Sequence, residues 1–168
     1  MKAFIFSCLF FLGFALFETA MVSNIVVLPA VPDFLLIVSL YFSLNNGRLF
    51  GVSSGFVSGL ILDFFTAVPF GLNCLVRTVF GYVAGIFSKS LNVSGIFFPV
   101  LLGALATFLK AFILWLVFVF YPNVDVSYRL FSSSFGFELL FNSILTPLIF
   151  KFLDIFKSGI LLDPEKVQ

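Results

Sequence analysis

The chain has 168 residues, of which 61% are hydrophobic and only 10% are charged. A soluble domain needs about 25% charged residues to cover its surface, so the composition excludes one and predicts that lipid surrounds most of the chain. The formal net charge of +1 and the lack of a basic stripe argue against a nucleic-acid partner. Histidine, the commonest metal ligand, does not occur, and no cofactor is predicted.

Six apolar segments, most of them near the roughly 20 residues that a helix needs to cross a bilayer, predict an all-α integral membrane protein. We place the spans near residues 4–22, 25–45, 49–66, 71–88, 96–120 and 130–156, in a single membrane domain that covers residues 1–168. The first segment lacks a clear A-x-A cleavage site, and further spans follow it. It is therefore interpreted as a retained helix, not a signal peptide.

The second segment is interrupted. Pro29 and Pro32 break its helical pattern and Asp33 lies inside it, so we expect a continuous helix only from Asp33 onwards. The residues before Asp33 are expected to form a bent or re-entrant stretch. The sequence thus predicts a bundle of about six transmembrane helices in which the second is short or broken by proline.

Loop charges predict the orientation of the bundle. With six spans and a cytoplasmic N-terminus, the outer loops carry Arg129 alone, whereas without the second span the best division is five against two. The basic residues on the inner side are then Lys2, Arg48, Lys89, Lys151, Lys157 and Lys166. The positive-inside rule favours both termini in the cytoplasm, with residues 157–168 as a short polar tail.

Small residues recur every four positions in the third and fourth spans. Such spacing lets two helix backbones approach closely, and plain packing is the simplest explanation for it. The positions are Gly51, Gly55, Gly59 and Asp63 in the third span and Asn73, Arg77, Gly81 and Gly85 in the fourth.

Five ionisable residues lie within the predicted spans, all in the outer half of the membrane: Glu18, Asp63, Arg77, Lys110 and Glu138. A charge at the bilayer centre costs about 2.5–3.5 kcal/mol on insertion scales, so such residues normally face the bundle interior and pair. They predict a polar network whose role stays open between structural ion pairs, a functional cavity or partner-docking surface, and a proton relay. We predict that Asp63 pairs with Arg77, because a turn of about four residues joins their helices.

Two polar seams accompany these charges. Lys110 shares its helix face with Gly103, Ala106 and Thr107, and Glu138 shares its face with Asn142 and Thr146. The seams are expected to meet inside the bundle.

Signals for catalysis are weak. The chain has no P-loop, no Gly-x-Ser-x-Gly elbow and no Cys-x-x-Cys pair. Cys8 and Cys74 lie in different apolar segments and are interpreted as small apolar residues that do not form a disulfide. An enzyme is therefore disfavoured.

Residues 31–85 contain a series of short motifs in a fixed order. These are Pro32 and Asp33 before a Leu-rich short helix, a Gly-rich span that ends in Gly59 to Asp63, a turn with Gly71 and Leu72, and a helix that carries Gly81 and Tyr82. In order and spacing this third of the chain resembles the bacterial rod shape-determining MreD family. Residues 95–168 carry no motif that is diagnostic of it.

The resemblance implies a non-enzymatic role in the cell-elongation machinery, in the inner membrane of a rod-shaped or elongated bacterium. It implies MreC, a bitopic membrane protein, as the direct partner. With MreC, the implied complex includes the peptidoglycan polymerase RodA, its transpeptidase partner and the actin-like filament MreB.

A second function class is the membrane-embedded substrate-binding component of an energy-coupling-factor vitamin transporter. Such components share the size and the six-helix plan, and a similar fold is expected. They usually carry an Ala-xxx-Ala motif in the first span, whereas Ala15 and Ala20 have the wrong spacing here. The predicted outer loops are also short for a protein that covers a ligand.

Overall fold

A computed structural model describes residues 2–22, 30–66, 68–88, 95–121 and 132–160, and the regular structure in these ranges is helical. The expected all-α fold is confirmed. Its helices are α1 (Lys2–Phe17), α2 (Phe34–Asn46), α3 (Arg48–Phe65), α4 (Leu72–Ile86), α5 (Phe97–Phe120), α6 (Ser133–Asp154) and α7 (Lys157–Ile160). α1 continues into a five-residue π-helical turn, Glu18–Val22.

Among the described residues, three helices (α3, α5 and α6) are long and apolar enough to cross a membrane. α1, α2 and α4 are apolar but shorter. Large hydrophobic side chains cover the outside of the bundle, among them Leu49, Phe64, Phe97 and Leu148. Exposed apolar surface of this extent fits a lipid environment.

The short helix α2 lies at the centre of the fold. Eleven of its 13 residues are buried, and it contacts α1, α3, α4, α5 and α6. Its sequence is apolar on all sides, which is the pattern of a helix enclosed by protein. Ser43 fits this position because its Oγ donates a hydrogen bond to the Ser39 carbonyl at 2.7 Å.

The helix of the second predicted span, 25–45, begins later than that range. Ala30 to Asp33 are not helical, and α2 starts at Phe34, after Asp33 as the N-cap residue. Asp33 Oδ1 accepts the backbone N–H of Leu36 at 2.8 Å and so satisfies a donor of the first turn. Pro32 immediately before it lacks a backbone N–H, which favours a helix start here. Pro29 lies outside the described residues.

α3 and α4 form the tightest helix pair. A methyl group added at Gly51 would overlap the backbone of Gly81, and one added at Gly55 would overlap the backbone of Arg77. Gly59 meets the backbone of Cys74, and Gly85 meets that of Arg48, in the same way. The two backbones therefore touch along most of their length, which small residues alone permit.

The remaining helices close the bundle around α2. α5 packs on α6, where Gly103 leaves room for Asn142 and Thr146. α7 contacts α1, so the first and last described helices meet at one end of the bundle. Of the predicted polar tail, residues 157–160 form α7, and residues 161–168 lie outside the described residues.

Candidate functional site

Polar groups from several helices converge on the first turn of α2. The backbone N–H of Asp33 donates to Asn142 Oδ1 on α6 at 2.9 Å. The next N–H, of Phe34, donates to Glu18 Oε2 at 3.2 Å. The first N–H groups of a helix have no partner within it, and here side chains from α6 and from the π-helical turn supply the acceptors.

The Asp33 carboxylate is the centre of a buried ionic cluster. Arg77 Nη2 donates to its Oδ1 at 2.5 Å, and Lys110 Nζ donates to its Oδ2 at 2.8 Å. Lys110 Nζ also lies 2.5 Å from Glu138 Oε1. Asp33, Arg77 and Glu138 are all at most 5% exposed, so these charges interact in low dielectric.

A neutral layer continues the cluster between α5 and α6. Asn142 Nδ2 donates to Thr107 Oγ1 at 2.9 Å, and Thr107 donates in turn to the Gly103 carbonyl at 2.9 Å. Thr146 Oγ1 donates to the Asn142 carbonyl at 2.5 Å. Asn142 thereby joins the start of α2 to both α5 and α6.

Glu18 enters the cluster from the π-helical turn at the end of α1. Besides accepting the N–H of Phe34, its carboxylate is close enough to interact with the charges of Asp33, Arg77 and Lys110. The cluster therefore draws charged side chains from five helical segments, with α3 left out.

The structure brings together four of the five ionisable residues that the sequence singles out: Glu18, Arg77, Lys110 and Glu138. The two polar seams also meet, through Asn142 and Thr107. The fifth residue, Asp63, lies elsewhere and makes a different set of contacts.

The predicted pair between Asp63 and Arg77 is wrong. The Asp63 carboxylate accepts backbone N–H groups of Gly71, Asn73 and Cys74 at 3.0–3.1 Å. It thus satisfies the open donors at the start of α4, while Arg77 extends to Asp33 on α2. A helix N-terminus attracts a carboxylate both by hydrogen bonding and through its dipole, and this interaction satisfies Asp63 without a cation.

The left-handed backbone of Gly71, with φ +94°, places its N–H toward Asp63 at the start of α4. Glycine adopts this conformation without steric cost, which accounts for its place in the turn.

Asp33 is the cluster residue whose role the sequence reasoning missed. The sequence indicates a motif and a helix start at this position, not a member of the polar network. One signal was present: an acid at the start of an apolar segment lies at the same depth as the other four cluster residues. Its pairing partners were not readable, because they come from helices 44 and 77 residues further along the chain.

The geometry of the cluster suits the joining of helices better than it suits catalysis. Each charged pair joins a different pair of helices, and removing one partner of a buried pair costs roughly 3–5 kcal/mol. Among the described residues, no group of three or more Cys, Asp or Glu side chains could hold a metal ion. Arg77 Nη1 makes no hydrogen bond within the described part of the chain.

A bundle of this kind, with long apolar helices, a lipid-compatible outside and a buried ionic cluster, is a polytopic helical membrane protein. The model of the family described as rod shape-determining protein MreD matches residues 2–156. The chain belongs to that family. Comparison with curated proteins gives no match.

The family match confirms the resemblance that the motifs of residues 31–85 indicate. It also extends it to α5 and α6, which carry no diagnostic motif but supply Lys110, Glu138 and Asn142 to the cluster. Membership in this family supports a role in determining rod shape.

Proposed function

We propose that the protein is a non-enzymatic scaffold of the cell-elongation machinery in the bacterial inner membrane, with an MreC-like bitopic protein as its direct partner. A RodA-type polymerase, its transpeptidase and an MreB-type filament complete the assembly. The observation that carries this proposal is the family match across residues 2–156. The buried cluster supports it, because a scaffold must hold its outer surfaces in one arrangement.

The same proposal includes six membrane spans with both termini in the cytoplasm. Among the described residues, the end where α1 and α3 begin and α6 ends carries four basic residues and the single acid Asp154. The basic residues are Lys2, Arg48, Lys151 and Lys157. This excess fits a cytoplasmic face under the positive-inside rule. At about 1.5 Å per residue α2 is only about 20 Å long, which enclosure by the other helices accommodates.

Reporter fusions test this orientation. A reporter placed after Lys89 or after Gln168 should read as cytoplasmic, and one placed at Asn123 should read as external. A C-terminal reporter found outside the cell would remove one span, and α2 would be the first candidate because of its length.

Depletion of the protein tests the function. Cells should become round and swollen as lateral wall synthesis stops, and vitamin uptake should stay unchanged. Re-expression of the wild-type chain should restore rods. Normal shape together with lost growth on limiting vitamin would replace this proposal with the transporter component.

Capture of the partner gives a second, independent test. The wild-type chain should co-purify with the MreC-like protein from mild detergent, and a variant that breaks the cluster, Arg77→Ala, should do so less well per folded molecule. Arg77→Lys is the matched control: only one guanidinium nitrogen of Arg77 bonds Asp33, so an ammonium preserves part of the interaction. Equal capture by the wild type, Arg77→Ala and Arg77→Lys would show that partner binding does not depend on the cluster.

A further inference from the structure

An elongated apolar groove runs between α1 and α6 on the outside of the bundle. It has a volume of about 490 Å³ and opens to the outside of the bundle. Phenylalanine rings form most of its walls: Phe6, Phe10, Phe14, Phe17, Phe152 and Phe156. We call it the aromatic groove.

The walls of the aromatic groove do not suit a further transmembrane helix. Helices pack closely in membranes where small residues face each other, as α3 and α4 do here. The groove presents one small residue, Gly13, and nothing lies within 4 Å of the position where its Cβ would stand. Bulky rings around an open space fit a thin flexible chain better than a second helix.

The length of the groove matches one leaflet of a bilayer. Its lining on α1 extends from Phe6 to Phe17, eleven residues apart, which at about 1.5 Å per residue is about 16 Å. Half of a hydrocarbon core of about 30 Å is about 15 Å. A single acyl chain from one leaflet therefore fits along the groove.

Positive charge flanks the part of the groove that Phe152 and Phe156 line. Lys151 precedes the lining residue Phe152, and Lys157 follows the lining residue Phe156; both side chains are exposed. The nearest acid among the described residues is Asp154, which accepts the Tyr41 hydroxyl at 2.7 Å and lies 3.8 Å from Lys157 Nζ. Two ammonium groups against one carboxylate leave an excess of positive charge on this side of the groove.

We infer that the aromatic groove binds one acyl chain of an anionic phospholipid, whose headgroup phosphate lies beside Lys151 and Lys157. The lipid comes from the leaflet at the end of the bundle where α1 begins and α6 ends. The rings supply the apolar wall and the lysines select the charge of the headgroup, since basic residues at a membrane surface attract anionic lipid. This site lies on the outside of the bundle and does not depend on which protein partner is bound.

Native mass spectrometry of the full chain, released from nanodiscs of equal phosphatidylglycerol and phosphatidylcholine, tests this inference. The wild type should retain one phosphatidylglycerol. Gly13→Leu should lose it, because the leucine side chain fills the groove. Gly136→Leu is the matched control: Gly136 is also an exposed helical glycine with nothing within 4 Å of its Cβ position, but it lies outside the groove, and it should retain the lipid.

The double variant Lys151→Gln, Lys157→Gln tests the headgroup. It should still bind a lipid, but each lost charge should lower the preference for phosphatidylglycerol about fivefold, which corresponds to about 1 kcal/mol per basic residue.

Lipid retained equally by Gly13→Leu and Gly136→Leu would overturn the site. An unchanged preference for phosphatidylglycerol in the double variant would rule out selection of an anionic headgroup. Loss of the MreC-like partner from Gly13→Leu with the lipid still bound would show that the groove holds a protein helix instead.

Discussion

The helix pairs α3–α4 and α1–α6 pack in opposite ways. Between α3 and α4, glycines bring the backbones into direct contact. Between α1 and α6, Phe152 meets Phe10 and Phe14 edge to face with centroids 6.4 Å apart, and a groove stays open beside these rings. Residue volume at the contact thus decides whether two helices close or stay open to lipid.

The open pair is held at its two ends. At one end, Glu18 and Asn142 both bond the first turn of α2, which connects α1 to α6 through a third helix. At the other end, Phe10 contacts Phe156, and α7 packs on α1. Polar bonds and contacts at the two ends therefore hold α1 and α6 in place, whereas continuous backbone contact holds α3 and α4 together.

The largest effect is expected from disruption of the ionic cluster. Asp33→Ala leaves the buried Arg77 without its carboxylate and removes one of the two partners of Lys110, so the variant should lose about 3–5 kcal/mol of stability and most of its abundance in the membrane. The fraction that stays monodisperse after heating in detergent measures this loss.

A double-mutant cycle then identifies the partner of Arg77. Asp33→Asn combined with Arg77→Gln should lose less than the two single variants together, with a coupling of about 0.5–3 kcal/mol. Asp63→Asn combined with Arg77→Gln should be additive and serves as the control. Coupling in the second cycle and additivity in the first would restore the pair predicted from the sequence.

The second largest loss of stability is expected in the closely packed pair α3–α4. Gly55→Ala places a methyl group against the carbonyl of Arg77 and the Cα of Thr78, and neither backbone atom can yield without moving α4. We expect a loss of about 1–3 kcal/mol, in the range of overpacked cores. Preserved thermal stability would mean that α3 and α4 are further apart in the membrane.

Much of this fold is readable from the sequence because hydrophobic length and glycine spacing are local signals. The centres of α3, α5 and α6 and the close approach of α3 and α4 follow from such signals. The central place of α2 does not. Its proline-broken, short pattern resembles a poor membrane span, and only the assembled bundle shows that other helices enclose it.

The candidate site, too, can be predicted from the sequence only in part. Depth along each span predicts which charges can meet, and four of the five do. Depth does not distinguish a cation from a helix N-terminus as the partner of a carboxylate. Depth alone therefore assigns Asp63 to Arg77, whereas three backbone N–H groups already satisfy the Asp63 carboxylate.

A smaller effect is expected at that helix cap. Asp63→Ala removes the acceptor for the start of α4 and should cost about 0.5–2 kcal/mol, with Asp63→Asn between it and the wild type because an amide oxygen remains. The effect should appear in thermal stability while the coupling between Asp33 and Arg77 stays intact. A loss as large as that of Asp33→Ala would indicate that Asp63 belongs to the ionic cluster after all.

The smallest expected effect decides whether the gap between α1 and α6 exists in the membrane. Alanine is favoured over glycine inside a helix by about 0.8–1.0 kcal/mol, and a methyl group at Gly13 or at Gly136 meets nothing within 4 Å. Gly13→Ala and Gly136→Ala should therefore raise the thermal stability slightly and to a similar extent. If α6 instead closed onto α1 in lipid, the methyl group at position 13 would meet the rings of α6. Gly13→Ala would then be destabilising in nanodiscs while Gly136→Ala stayed favourable, and the contrast between the open and the closed helix pair would be lost.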